Sequence, residues 1–156
     1  MDDLEAMQAA PHGVITRPAV PADHTAIAVL LLQLGYEIAP ALVLRQLQAL
    51  PHAAHDQVLV AALHGEVVGS ISLHAIPMFH SGGFLGRITS LVVDERYRAR
   101  GVGSALIWAA QQWFQAAGCT KLEVTSSDHR SGAHRFYERH GFLRDGQRFA
   151  RAFDAV

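Results

Sequence analysis

The 156-residue chain carries 13 lysines and arginines against 14 aspartates and glutamates, a net charge of −1 with neutral histidines, so no excess of positive charge points to nucleic acid or an anionic membrane surface as the main partner. Half of the residues are hydrophobic and 17% are charged, which excludes a disordered chain and allows one domain with a real core. The single cysteine, Cys119, excludes an intrachain disulfide and suits a reducing compartment.

Residues 1–12 show no period and read as a loose leader. The opening, MDDLEAMQAAPHG, lacks the basic start and apolar core of a signal peptide. No apolar run reaches the roughly 18 residues of a membrane span, so the expectation is a soluble cytoplasmic protein with a single domain over 13–156. Segment 14–20 predicts a short strand ending at Pro18 and Pro21. Asp23 is placed to cap a helix in which Ile27, Leu30, Leu31 and Leu34 recur at helical spacing, and Gly35 stops it. A second helix is predicted over 40–50, with Leu44, Leu47 and Leu50 on one side and Pro51 at its end.

The period then changes. Segments 57–63 and 66–76 predict strands joined at His64-Gly65, a hairpin signal, and Pro77 closes the second. Segment 84–94 predicts another strand whose apolar end suits a buried central position. A long helix follows Gly101, with Val102, Leu106, Ala109, Trp113 and Ala117 as its stripe and Gly118 as its stop; Trp108 and Trp113 read as helix-packing residues. A strand over 120–126, a short helix over 131–141 stopped by Gly141, and a last strand over 147–153 complete the chain. Three antiparallel strands leading into a crossover predict an α/β fold, a mixed sheet with helices on both faces.

The turn RARGVGS places two glycines where a helix begins, although glycine weakens a helix by roughly 1 kcal/mol per residue. The first N–H groups of a helix lack internal partners and carry the positive end of its dipole. Strand, glycine turn and helix together therefore make a phosphate site. Gly101 and Gly103 allow positive φ and close approach of the backbone, and Arg98 and Arg100 add charge and donors. No G-K-[ST] follows, and the third glycine of a dinucleotide fingerprint is missing.

Arg98-x-x-Gly101-x-Gly103 after LVVDERY resembles the R/Q-x-x-G-x-G/A signature of the GNAT superfamily of N-acetyltransferases, and AHRFYERHGF at 133–142 is similar to that family's A-x-x-F-Y-x-x-x-G-F segment. The resemblance covers roughly 14–153. It implies a GNAT fold, mostly antiparallel, in which the parallel strands 84–94 and 120–126 splay apart. It implies acetyl-CoA, or a related acyl-CoA, as donor. Backbone amides of Arg98, Ala99, Arg100, Gly101, Val102, Gly103 and Ser104 would cradle the pyrophosphate, and main-chain groups of Leu91, Val92 and Val93 would pair with the pantetheine arm like an added strand. Tyr137 would be the general acid for the departing thiolate, since a phenol near pKa 10 and a thiol near 8.5 exchange a proton almost evenly. Ala133, one turn earlier, would let the helix approach the pantetheine. The N–H of Val92 or Val93 would stabilise the oxyanion.

Two departures accompany the resemblance. Many family members carry a glutamate before the LVV segment; here Thr89 and Ser90 stand there, and neither is a useful base at neutral pH. Glu123 on the adjacent strand is the candidate base, with His74, His80 and Glu37 as others, beside a water relay or an amine that arrives neutral. The family's asparagine three residues before the alanine is Arg130 here, and Ser126 and Arg130 are expected near the cofactor. Tyr36 and Glu37, between the first two helices, and Phe79 and His80, in a loop that could form a lip, are expected to border the acceptor. The ten histidines include no tight ligand set beside a cysteine pair, so no metal is expected.

The reading is an acyl-CoA-dependent N-acetyltransferase acting by direct attack in a ternary complex on a small primary amine, with an aminoglycoside-type branch in view. A protein N-terminus or lysine is the alternative acceptor, and a non-catalytic CoA sensor the alternative class. The family often pairs, so a homodimer is expected.

Overall fold

The computed structural model of the chain describes residues 13–126 and 131–154. Within these the chain divides into two compact units, one ending at Thr125 and one beginning at Ser126.

The first unit is built on a five-stranded sheet in the order β1-β2-β3-β4-β5, with β1 Val14–Pro18, β2 Asp56–Leu63, β3 Glu66–Pro77, β4 Phe84–Val93 and β5 Cys119–Val124. The first four strands run antiparallel and β5 runs parallel to β4. The mixed sheet expected from the sequence is therefore the one formed. His64 and Gly65 both take positive φ, 50° and 83°, the paired left-handed conformation of a tight hairpin turn between β2 and β3.

Three helices flank this sheet: α1 His24–Gln33, α2 Pro40–Ala49 and α3 Val102–Ala116. Helix α3 lies close on one face. A Cβ at Gly69 would meet Leu106 Cδ1 at 3.0 Å, and one at Gly86 would lie 2.7 Å from Phe114 Cδ1, so both strand positions need glycine for helix and sheet to touch. Ile27 and Ala28 of α1, Val43 and Leu47 of α2 and Val60 of β2 form a second buried cluster. Among the described residues no helix is long and apolar enough to cross a membrane.

Several local expectations are corrected. Asp23 makes no side-chain cap on α1; its carboxylate reaches back to accept from Val20 N–H at 2.8 Å and from Arg17 at 2.7 and 2.9 Å. Its pKa is lowered by the Arg17 hydrogen bond, against the opposing effect of burial. The buried stripe of α3 is Val102, Ala105, Leu106, Ile107, Ala110 and Phe114, one step off the predicted Ala109, Trp113 and Ala117. Trp108 is 41% exposed and lies off the buried stripe.

The second unit contains α4, Ser131–Arg139. Gly141 takes φ 83° and ends the helix as expected. Residues 142–154 form no strand, which corrects the strand predicted over 147–153. Phe149 and Phe153 stand 91% and 89% exposed rather than against a sheet.

Candidate active site

Strand β4 ends at Val93, and the residues after it are pinned before the chain turns. Asp94 is buried, accepts from the Arg96 N–H at 2.9 Å and pairs with the Arg96 guanidinium. The Arg96 bond holds the Asp94 carboxyl below its ordinary range despite the burial. Arg96 also donates to Glu66 at 2.6 Å, and Glu95 N–H donates to Gln33 at the end of α1 at 2.9 Å. A short 3-10 turn over Glu95–Tyr97 sits inside this staple.

The glycine turn then alternates in handedness. Ala99 has φ 59° and Gly101 has φ 83°, while Arg98 is extended and the helix starts at Val102. Two positive-φ residues with one residue between them, at the N-terminus of a 15-residue helix, suit an anion nest, in which backbone N–H groups converge on one ligand. The positive φ read for both glycines holds only for Gly101. Gly103 lies in the first helical turn with Ser104, and Ala99 supplies the second left-handed position. Arg98 and Arg100 are exposed. Arg98 Nε donates back to Val93 O at 3.1 Å, and Arg100 stacks over the Tyr97 ring at 5.7 Å.

Beside this turn, among the described residues, the end of β4 has no strand paired along one flank. Pairing with β5 runs only as far as Ile88 opposite Val124, whereas β4 stays paired with β3 up to Val93. Asp94 N–H donates to Val68 O, so strand alternation turns the main-chain groups of Val92 toward β3 and those of Leu91 and Val93 toward the flank beyond β5's last pair. Of the two amides expected to serve an oxyanion, Val93's faces that flank.

Earlier in the same strands a row of polar side chains crosses the sheet. Asp56 stands opposite His74, His74 opposite Arg87, and Arg87 opposite Glu123. Glu123, the candidate base, accepts from Arg87 at 2.6 Å and lies 3.6 Å from Lys121 Nζ. His74 bonds Asp56 through Nδ1 and Thr89 through Nε2, each at 2.8 Å. Asp56 and Arg87 drew no attention in the sequence, because only strand register places them beside His74 and Glu123.

The other expected residues fall in separate places. Glu37 lines a cleft of about 420 Å³ with Thr25, Ala28, Val29, Leu32 and Ile38, and the neighbouring Tyr36 is 56% exposed. Phe79 and His80 lie in the loop between β3 and β4, closed by Met78 N–H to Gly83 O at 2.9 Å. Phe79 is fully exposed. This loop joins the start of β4, whereas Gln33 ties the α1 end to the residue after Asp94, so the two pairs stand at opposite ends of that strand.

In the second unit, Ala133 and Tyr137 share the half-buried side of α4. The Tyr137 ring meets Phe136 and Phe142 edge-on at 5.4 and 5.7 Å, and its carbonyl accepts from Phe142 N–H at 3.0 Å. Ser126 Oγ is buried with no hydrogen-bond partner among the described residues. Arg130 lies outside the described residues. Among the described residues no group of three or more His, Cys, Asp or Glu is arranged to hold a metal ion.

Known proteins are similar to this chain in sequence and fold. Aminoalkylphosphonate N-acetyltransferase from Salmonella typhimurium is 38% identical over 93 residues, 60% of this chain and 60% of that protein. Glucosamine 6-phosphate N-acetyltransferase from Trypanosoma brucei brucei is 40% identical over 79 residues, 50% of this chain and 52% of that protein. The matches thus span little more than half of either relative. A solved Trypanosoma brucei acetyltransferase superposes with a TM-score of 0.76 at 27% identity, covering 90% of this chain and 99% of that one. The model described as the acetyltransferase (GNAT) family matches residues 25–142, which include both the nest and the Tyr137 helix, and the chain therefore belongs to the GNAT family of acetyltransferases.

Proposed function

We propose that the protein is an N-acetyltransferase that moves the acetyl group of acetyl-CoA to a small primary amine by direct attack in a ternary complex. The observation that carries this is the nest at Ala99 and Gly101 next to the β5-free flank of β4. One binds a pyrophosphate through N–H groups, and the other offers Leu91 and Val93 main-chain partners to an extended arm. The residues fit the cofactor: the turn supplies donors from Arg98 to Ser104, with Arg98 and Arg100 exposed beside it, and the buried, unpartnered Ser126 Oγ is a donor for the same molecule together with Arg130 and Ala133. Bound acetyl-CoA supplies the activated thioester.

The rest is done by the chain. A main-chain N–H of the β5-free flank donates to the carbonyl oxygen as it gains charge. The Tyr137 hydroxyl gives its proton to the departing sulfur. Glu123 keeps its place as a carboxylate of the reacting face. Its Arg87 bond occupies an oxygen, so its part is to attract a cationic amine. Glu37 in the 420 Å³ cleft is the second carboxylate for that amine, with Tyr36 beside it; Phe79 and His80, expected as a lip, lie at the other end of β4. The Salmonella and Trypanosoma relatives are both named for small amine substrates, which supports a small acceptor. The exposed Leu143, Phe149 and Phe153 support a homodimer, the family match through both units supports one domain, and the single cysteine suits a cytoplasmic location.

The test is thiol release from acetyl-CoA across a panel of small amines, with a lysine peptide and a free peptide N-terminus alongside. Release with a small amine supports the reading; release with the peptides alone transfers the protein to the other acceptor class.

A further inference from the structure

We propose that Asp56, His74 and Thr89 form a proton relay that receives the proton shed by the acceptor amine. The inference rests on the acetyl-CoA reading above and supplies the base it lacks.

With the imidazole neutral, the two bonds set one direction for the relay. An ionised carboxylate can only accept, so the proton between Asp56 and His74 belongs to Nδ1. A neutral imidazole has one N–H, which leaves the Nε2 lone pair to accept from the Thr89 hydroxyl. Asp56 thus orients the ring and stabilises it once protonated, the geometry by which an imidazole draws a proton from a hydroxyl. Threonine alone is no base, but here its hydroxyl is a conduit to one.

Strand register places Thr89 for this role. Ser72 pairs with Ser90 and Leu73 with Ile88, so Thr89 is the extra residue of a β-bulge with no partner on β3. A bulge re-aims its side chain, and this one reaches diagonally to His74. Thr89 also comes immediately after Ile88, the last β4 residue paired with β5, and precedes Leu91 by two. Thr89 therefore stands where pairing with β5 ends, its hydroxyl directed to His74 of β3, and an arm paired along 91–93 would bring the thioester toward it.

The groups facing His74 support the charge change. Asp56 faces it from β2, and Arg87, its register partner, from β4. Arg87 is neutralised by Glu123 of β5 at 2.6 Å, so the imidazolium forms beside a compensated cation and an uncompensated carboxylate. Ser72 and Ser90 in the next row bond each other at 2.7 Å. The side chains of His74 and Asp56 are 36% and 44% exposed, so the proton can leave to water after turnover.

In the step, the acceptor ammonium first sheds one proton to water, the neutral amine nitrogen bonds the acetyl carbon and the carbon–sulfur bond breaks. The second amine proton passes to Thr89 Oγ while the Thr89 proton passes to His74 Nε2, and the thiolate takes its proton from Tyr137, which water then reprotonates. Thr89 is the residue that touches the substrate, whereas His74 and Asp56 act through it.

Four full-length proteins test this: wild type, Thr89→Val, Thr89→Ser and His74→Ala, each assayed for thiol release with a primary amine and for acetyl-CoA affinity by calorimetry. The relay predicts that Thr89→Val and His74→Ala lower kcat about 100-fold and leave acetyl-CoA affinity unchanged. It predicts that Thr89→Ser keeps kcat within about threefold of wild type and that added imidazole restores part of the His74→Ala rate, which no packing role would produce. Wild-type kcat in Thr89→Val and His74→Ala, with acetylation intact, overturns the relay alone. So does a His74→Ala loss that imidazole does not relieve while Thr89→Ser is as slow as Thr89→Val. A wild type that neither binds acetyl-CoA nor releases thiol overturns the acetyltransferase reading and the relay with it.

Discussion

Two regions of the first unit face the same proposed reaction but are built differently. The turn from Arg98 to Ser104 is made of backbone: Ala99 and Gly101 in left-handed conformations and the first amides of a helix. The row from Asp56 through His74 and Arg87 to Glu123 is made of side chains delivered by four separate strands. A backbone site tolerates changes of side-chain chemistry and fails when φ is denied. A side-chain row survives conformational detail and fails when one donor or acceptor is removed. The proposed division of labour is that the turn binds and the row handles charge.

The largest expected effect breaks the turn. Gly101→Val forces a β-branched residue into φ 83°, at a strain of about 1–3 kcal/mol. Calorimetry should find acetyl-CoA binding abolished while circular dichroism shows a folded protein; retained affinity would remove the nest from the account. Next, Tyr137→Phe removes a proton donor without moving the backbone. We expect kcat to fall about 100-fold with acetyl-CoA affinity unchanged, and an undiminished kcat would assign that ring to packing beside Phe136 and Phe142.

A third test sharpens the contrast within the row. Arg87→Ala frees Glu123 from its 2.6 Å partner and leaves the cation missing from beside His74. If Glu123 serves as a charged anchor rather than the base, Glu123→Gln should raise the KM for the amine about tenfold while kcat stays near wild type. A collapse of kcat in Glu123→Gln would return the base role to it.

A smaller effect concerns stability. The Arg17 bond lowers the Asp23 pKa below its unfolded value, so the folded state is favoured by the ionised form. That contribution is full above the unfolded pKa of about 3.9 and is lost as pH falls through the folded value. Asp23→Asn should lower stability by about 1–2 kcal/mol at pH 7, measured by urea denaturation, and the difference from wild type should close in strong acid. A gap independent of pH would assign the loss to packing. The smallest effect is Arg100→Ala. This exposed arginine should alter acetyl-CoA affinity about two- to fivefold at low salt and not at high salt.

How much of this was legible in the sequence divides along the same line. The turn was readable because its parts are contiguous: arginines, glycines and the start of an apolar run lie side by side in RARGVGS. Even so, the assignment of positive φ to Gly103 instead of Ala99 was off, since alternation of handedness is set by how the staple at Asp94 and Arg96 delivers the chain. The row was unreadable as a unit. His74 and Glu123 could be singled out as titratable groups, but Asp56 lies 18 residues from His74, and the bulge that aims Thr89 exists only in the register of β3 against β4. The α3 stripe slipped by one step because small residues such as Ala105 and Ala110 are buried there, and alanine marks a face weakly in a sequence. The predicted strand over 147–153 failed because alternation specifies a strand only when another strand takes its edge.

The most direct test of the central claim is calorimetric titration of the whole protein with acetyl-CoA, run beside Gly101→Val and completed by thiol release on adding small amines. Saturable binding by wild type, none by Gly101→Val, and thiol release with at least one small amine are the predicted results. No binding by wild type, or equal binding by the variant, would contradict the claim that this turn holds the cofactor.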